Sequence, residues 1–195
     1  MTDTEIINII LKGNRNEFQK LVERYKLMVF RTCMGFLHDK DDADDLTQEV
    51  FIQIYLSLNK FKGDSAFSTW VYRISVNASL NRVRKNTGSP ILNRLDSLFV
   101  TGKERELSSV ANDNEDPESI LIRLEKSKWI QAALDSLPEN QRTVIVLSKY
   151  DDLSQKEIAE IMKITEGAVE SLIQRAKANL KVKLSSTYKK MRLIP

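Results

Sequence analysis

The sequence predicts an all-α fold: two helical domains, residues 1–85 and 117–195, joined by a flexible linker over 86–116, with a helix-turn-helix in the C-terminal domain. Three observations lead there. Apolar residues recur at three- and four-residue spacing along most of the chain, and no stretch alternates with the period of two that a strand needs. Residues 154–180, SQKEIAEIMKITEGAVESLIQRAKANL, read as two short helices about a tight turn. Residues 86–115, which include Asn-Thr-Gly-Ser-Pro and Asn-Asp-Asn-Glu-Asp, lose the periodicity and hold more acid than base.

Composition narrows the function classes. The 195 residues can hold one or two domains, and 42% apolar content is enough for a core. A net charge of +3 does not by itself announce nucleic acid; the distribution says more, because an acidic connector separates two mildly basic ends. Cys33 is the only cysteine, so no internal disulfide can form, and Val29, Phe30, Phe36 and Leu37 around it predict a reduced core thiol. His38 is the only histidine. One Cys and one His make neither a zinc site nor a Cys/His catalytic pair. There is no glycine-rich phosphate loop and no nucleophile elbow, so neither an enzyme nor a cofactor nor a metal is expected. Thr2, Asp3 and Glu5 precede the first apolar residues, and no apolar run nears the ~18–20 residues that span a membrane. A cytoplasmic protein without membrane insertion is expected.

Taken in order, residues 3–12 predict a short amphipathic helix ended by Gly13. Asn16 is the expected cap of a long helix reaching Leu37, with Phe18, Leu21, Val22, Tyr25, Val29 and Phe30 on its inner face. After a polar break at His38 to Asp41, a third helix is predicted over Asp41 to Asn59. Asp41, Asp42, Asp44 and Asp45 crowd its positive end. Ala43, Leu46, Val50, Ile54 and Leu58 form the inner stripe, while Asp45, Gln48, Glu49 and Gln53 share another face. Capping explains the first acids and explains Gln48 and Glu49 less well, so that face reads as a partner surface. A calcium loop is disfavoured by the helical setting and the missing turn glycine.

Phe61 to Thr69 (FKGDSAFST) predicts a loop, with Ser68 or Thr69 capping a helix from Trp70 to Lys85. Val71, Ile74, Ala78 and Leu80 are expected inside. Arg73, Asn77, Asn81 and Arg84 form a polar stripe, flanked by Arg82 and Lys85. Amides and guanidinium groups bond base edges, and Phe61, Phe67 and Trp70 are placed to stack on an unpaired base. A plain solvated helix face is the competing reading; the aromatic loop directly before the helix favours nucleic acid.

Beyond the linker, for which a transient helix around Arg94 to Phe99 is expected, Asp116-Pro117 predicts a helix start. That helix runs to about Ser136 with Ile120, Leu124, Ile130, Ala133, Leu134 and Leu137 inward. Pro138 opens the next, with Val144, Ile145 and Leu147 inside, and Asp151-Asp152 turns into the helix-turn-helix. Ser154 and Glu157 form the capping-box pattern. Ile158, Ile161 and Met162 make a stripe, and Ala159 leaves room for a second helix. Lys163 stands where a turn glycine is usual. Thr165 caps the second helix, whose inner face is Val169, Leu172, Ile173, Ala176 and Leu180. Ser171, Gln174, Arg175 and Lys177 point away from it. Past Glu170 there is no acid, but there are Arg175, Lys177, Lys181, Lys183, Lys189, Lys190 and Arg192, a one-signed run suited to phosphates. An ordinary helical hairpin with a basic tail is the competing reading.

These stretches together (DADDLTQEVFIQIY, FKGDSAFSTWVYRISVNASLNRVRK, DPESI and LPENQRTVIVLSKYDDLSQKEIAEIMKITEGAVESLIQRAKANL) resemble a bacterial RNA polymerase sigma factor of the extracytoplasmic-function (ECF) group of the sigma-70 family. The resemblance covers about residues 5–85 and 117–184. It implies that residues 1–85 are a region 2-like domain and 117–195 a region 4-like domain. Asp45, Gln48, Glu49 and Gln53 would then dock on core RNA polymerase, at the clamp helices of β′, with β as a further contact. Phe61, Phe67, Trp70, Arg73, Asn77, Asn81 and Arg84 would open and read the minus-10 promoter element. The family often carries a basic residue where this chain has Glu170 and Leu172, which assigns minus-35 recognition to Ser171, Gln174, Arg175 and Lys177. The linker would thread toward the RNA exit path. An anti-sigma factor, including a membrane-bound one, is a further implied partner. Melting costs unstacking, and a pocket for a flipped base offsets part of that cost. The alternative from another class is a stand-alone helix-turn-helix regulator that binds duplex DNA without polymerase. The placement of the lobes in the free chain stays open; the linker length permits a closed form that hides the DNA faces.

Overall fold

The structure, a computed structural model, describes the backbone of residues 1–88 and 117–191 and the side chains of 1–86 and 125–185. All regular structure among the described residues is helical. The expected helix around Arg94 to Phe99 lies outside the described residues, and the inward positions Ile120 and Leu124 fall on the helix Pro117–Asp135 ahead of the described side chains. The N-terminal lobe is α1 (Asp3–Leu11), α2 (Phe18–Leu37), α3 (Lys40–Ser57) and α4 (Phe67–Gly88). The C-terminal lobe is α5 (Pro117–Asp135), α6 (Glu139–Lys149), α7 (Gln155–Met162) and α8 (Glu166–Met191).

Local chemistry sets most of these boundaries. Thr2 and Glu5 form a capping box on α1. Asp3 accepts from the Tyr25 hydroxyl at 2.5 Å and from Arg24, which ties α1 to α2. The expected Asn16 cap does not form. Asn16 lies inside a 3-10 turn, Arg15–Glu17, and α2 begins at Phe18 without a side-chain cap. The cap of α3 is Asp39, which accepts from the Asp42 amide at 3.0 Å, so the helix starts ahead of Asp41. His38 makes this tight junction by taking φ 57° at the end of α2. Helix α4 begins at Phe67, where Trp70 donates to the Ala66 carbonyl at 3.2 Å. Thr69 is therefore a buried first-turn residue and not the cap. Ile130, expected inward, is 50% exposed.

Two apolar cores result. The first joins α1, α2, α3 and α4 through Ile6, Leu21, Val29, Val50, Ile54 and Val71. Cys33 is buried in it, with its thiol pushed above the ordinary range by burial. The second core crosses the lobes. Phe36 of α2 and Tyr72 and Val76 of α4 pack with Leu134, Val144, Val146, Ile158 and Ile161 of the C-terminal lobe. Taking Phe36 and Val76 out of water stabilises the contact by roughly 1.5–3 kcal/mol each. Helix α4 is consequently covered on two sides, by α2 and α3 on one and by α7 on the other. Its buried Ser75 satisfies its hydroxyl within the helix, donating to Val71 O at 2.9 Å.

Candidate nucleic-acid interface

The aromatic group before α4 is built around Phe67. This residue is 4% exposed and meets Phe61, Trp70 and Tyr25 with ring centroids 5.2–5.5 Å apart. Phe61 and Trp70 are the partly exposed members, 5.6 Å apart. Of the three aromatics expected to meet a base, two border solvent and the third holds them in place. Gly63 takes φ 80°, a conformation that lets the loop turn without strain.

Along α4, Asn77 and Asn81 are exposed. The two arginines of the stripe are engaged by the C-terminal lobe. Arg73 donates from Nη2 to Glu160 O at 2.7 Å and from Nε to Ile161 O at 3.2 Å. Arg84 makes a two-pronged pair with Glu139 at 2.5 and 2.6 Å, which lowers the Glu139 carboxyl below its usual range. Arg84 also donates to Asn81 Oδ1 at 3.2 Å. Arg82 pairs with Glu49 of α3 at 2.8 Å.

The helix-turn-helix forms as its residues predict. Ser154 and Glu157 complete the capping box, and those bonds lower the Glu157 carboxyl. Lys163 occupies the left-handed position at φ 55°, ψ 45°. Thr165 Oγ1 accepts from the Ala168 amide at 3.2 Å. Val169 and Ala176 are fully buried, while Ser171, Gln174, Arg175 and Lys177 all face solvent. Helix α8 continues to Met191, eleven residues beyond the periodic core, and this carries the basic run as far as Lys190 along one rod.

On α3, Asp45, Gln48, Glu49 and Gln53 are all exposed. Beside them lies an apolar groove of about 350 Å³ lined by Arg15, Phe18, Phe51, Ile52, Tyr55 and Leu56. Ile52 and Leu56 are 60% and 72% exposed. These two residues were missing from the predicted surface, although their i, i+4 spacing outside the inner stripe is visible in the sequence.

The seam between the lobes was likewise not among the predicted sites. Arg142, 4% exposed, donates to the Phe36 carbonyl and to Asp135 at 2.5 Å, with His38 alongside. His38 and Arg142 hold the Asp135 carboxyl below its usual range against the opposing effect of burial. Asp151 reaches across to Thr32 at 2.9 Å. Burial pushes its carboxyl up to about 6, against the Thr32 hydrogen bond and Arg31. Thr32 has one hydroxyl proton and faces two acceptors, Met28 O at 3.1 Å and Asp151. Its proton is shared between the two, with Asp151 accepting at the shorter distance. Among the described residues no group of His, Cys, Asp and Glu is placed to hold a metal, and no helix is long and apolar enough to cross a membrane.

Comparison with known proteins agrees with this geometry. Residues 21–88 match the family described as Sigma-70 region 2, and residues 127–180 match Sigma-70, region 4. The chain is 35% identical over 180 residues to the ECF RNA polymerase sigma factor SigW of Bacillus subtilis, covering 91% of this chain and 94% of the relative. It is 33% identical over 177 residues to the ECF RNA polymerase sigma-E factor of Escherichia coli K12, covering 91% of each. Among solved structures, CnrH in complex with the cytosolic domain of CnrY superposes with TM-score 0.62 at 24% identity, over 94% of this chain and 97% of CnrH. RpoE of Bartonella quintana, in complex with the anti-sigma factor NepR, gives 0.56 at 19% identity, over 87% and 97%. With both sigma-70 regions in order and relatives matched along nine tenths of its length, the chain belongs to the sigma-70 family as an ECF sigma factor, a subunit that directs promoter-specific transcription initiation.

Proposed function

We propose that residues 1–85 dock on core polymerase and open the minus-10 element, and that residues 117–195 read the minus-35 element. The observation that carries the docking half is the outer side of α3. Ile52 and Leu56 lie open to solvent beside Gln48, Glu49 and Gln53. An apolar patch rimmed by polar groups is the form of a protein-binding surface, and its occupant here is the β′ clamp. In the Glu49–Arg82 pair the carboxylate is exposed and the guanidinium half-buried, so Glu49 is open to exchange for a partner's charges.

On the DNA side, Phe61 and Trp70 supply ring faces for an unstacked base, and Asn77 and Asn81 supply paired donors and acceptors one helical turn apart. On α8, Ser171, Gln174, Arg175 and Lys177 form the exposed face that a major groove admits. Polymerase performs the chemistry, so the chain works in the cytoplasm without catalytic residues of its own. A partner protein that holds the chain inactive belongs to the same reading, since RpoE of Bartonella quintana, which has this fold, is in complex with an anti-sigma factor.

Run-off transcription with core polymerase and a promoter library tests the proposal. Transcripts that appear only when this chain is added, downstream of a shared two-part motif, are expected. Duplex DNA binding by the chain alone, with no transcript, would transfer the assignment to a stand-alone regulator.

A further inference from the structure

The lobes are locked together by a residue that the promoter reading needs elsewhere. Helix α7 ends at Met162, where the chain turns left-handed at Lys163. The last carbonyls of any helix lack partners within it and form the negative end of its dipole. At this end, Lys163 N–H lies 3.3 Å from Glu160 O, and Ile164 N–H bonds Ala159 O at 3.1 Å. Arg73 adds a second donor at Glu160 O, which already accepts from Lys163 N–H, and brings a donor to Ile161 O. Its guanidinium fork spans Glu160 O and Ile161 O at 2.7 and 3.2 Å. A side chain of the N-terminal lobe therefore caps a helix of the C-terminal lobe, with charge of the sign the helix end prefers. The matching of a planar fork to two successive carbonyls is specific to arginine.

The rest of the seam supports this bond. Tyr72 and Val76, on either side of Arg73 in α4, are buried against the C-terminal lobe, and Arg84 farther along is held by Glu139. Gly35 of α2 brings the backbone so close to α6 that a Cβ there would lie 2.6 Å from Val146. The face of α8 with Ser171, Gln174, Arg175 and Lys177 stays open to solvent in this arrangement.

We propose that Arg73 is a latch: in the free chain it caps α7 and holds the lobes closed, and it becomes available to the minus-10 strand only when the lobes separate. This rests on the promoter reading of α4 given above. Geometry makes the two uses exclusive. By their names the minus-35 and minus-10 elements lie about 25 base pairs apart, on the order of 80 Å at ~3.4 Å per pair. Helix α7 touches α4 through Arg73 and leads into α8 after only residues 163–165. Helix α8, at 26 residues and ~1.5 Å each, is only ~39 Å long. The closed chain cannot place α4 and α8 on both elements, so the form that uses Arg73 as a cap is silent at a two-part promoter. The open α8 face lets it meet minus-35 duplex first.

The test uses the full chain with spin labels at Lys26→Cys and Lys128→Cys, two exposed sites, one on each lobe. Cys33 is buried and does not label. Pulsed distance measurements on the free chain should give one short, narrow distribution. Arg73→Ala should raise the population at longer distances about tenfold or more, the ratio that corresponds to losing one charge-assisted hydrogen bond. Arg73→Lys keeps the charge but not the fork and should fall between. Far-UV circular dichroism should show the same helix content in all three. Core polymerase should move the unmodified chain to the long distances. A broad distribution in the free chain, or distances unchanged in both Arg73 variants, overturns the latch. Run-off transcription on the same samples separates this from the promoter reading: an Arg73-dependent closed distance without any transcript leaves the latch standing and removes the DNA role.

Discussion

Replacing Gly35 by alanine sets two effects of similar size against each other. Within α2 the change is favourable, because alanine in a helix interior is about 1 kcal/mol better than glycine. At the seam it is unfavourable. The new methyl would sit 2.6 Å from Val146 Cγ1 and 3.3 Å from the Tyr150 ring, where carbon contacts are comfortable at about 3.5–4.0 Å. Relief needs a shift of about 1 Å between α2 and α6, and overpacking of that kind costs about 1–3 kcal/mol. The net expectation is a loss of about 0–2 kcal/mol for Gly35→Ala. Val146→Ala by itself removes two fully buried methyls and costs about 1–3 kcal/mol. Combined, the second change vacates the space that the first one needs, so the double variant should lose about 1–2 kcal/mol less than the sum. Urea unfolding followed by tryptophan fluorescence gives the four free energies, with Trp70 reporting from the N-terminal lobe and Trp129 from the C-terminal lobe. Additive losses, or a Gly35→Ala chain stabilised by the full ~1 kcal/mol, would mean that Val146 does not press on Gly35 in solution, and the closed seam would fall with that result.

The carboxyl of Asp151, raised to about 6 by burial, binds a proton in the folded chain that the unfolded chain gives up near pH 4. Its contribution to stability is therefore present at low pH and is lost as pH rises through about 4 to 6. Asp151→Asn should flatten that part of the pH–stability profile and raise the midpoint of thermal unfolding at pH 7.5; an unchanged profile would contradict the buried placement. Lys163→Gly should add about 0.5–1 kcal/mol in the same urea experiment, because glycine takes the left-handed position of φ 55° without Cβ crowding; a loss would show that the lysine side chain has a structural task. Gln48→Ala combined with Glu49→Ala should weaken binding to core polymerase severalfold, read by fluorescence anisotropy, with the melting temperature little changed; equal affinity would remove α3 from the docking surface.

Much of this fold is legible one helix at a time. The Ser154/Glu157 capping box, the Thr165 cap and the Val169–Ala176 inner stripe are short-range chemistry, and each forms as its residues dictate. Lys163, in the place of the turn glycine, takes the left-handed conformation that the turn demands whatever residue occupies it. Where the reading fell short, the cause is long-range packing. Helix α4 shows a weak apolar stripe because it is covered on two sides, and its buried Ser75 and Ser79 look polar in the sequence. Tyr72 and Val76 serve the second core, which no periodicity within α4 announces. Phe67 reads as one of three loop aromatics; its packing against Tyr25 of α2 as well as Phe61 and Trp70 makes it the buried one.

The sequence by itself determined the helical class, the helix-turn-helix and the exposed faces with Gln48, Asn77, Asn81 and Arg175, since caps and 3.6-residue periodicity are local properties of the chain. Tertiary structure alone decided that Arg73 caps α7, that Arg142 reaches the Phe36 carbonyl and that Asp151 meets Thr32. Those contacts join residues 87 to 119 positions apart, across a linker whose composition says nothing about which faces it brings together. A cation's partner is set by distance in space, and the pattern of the residues around it carries no record of that distance.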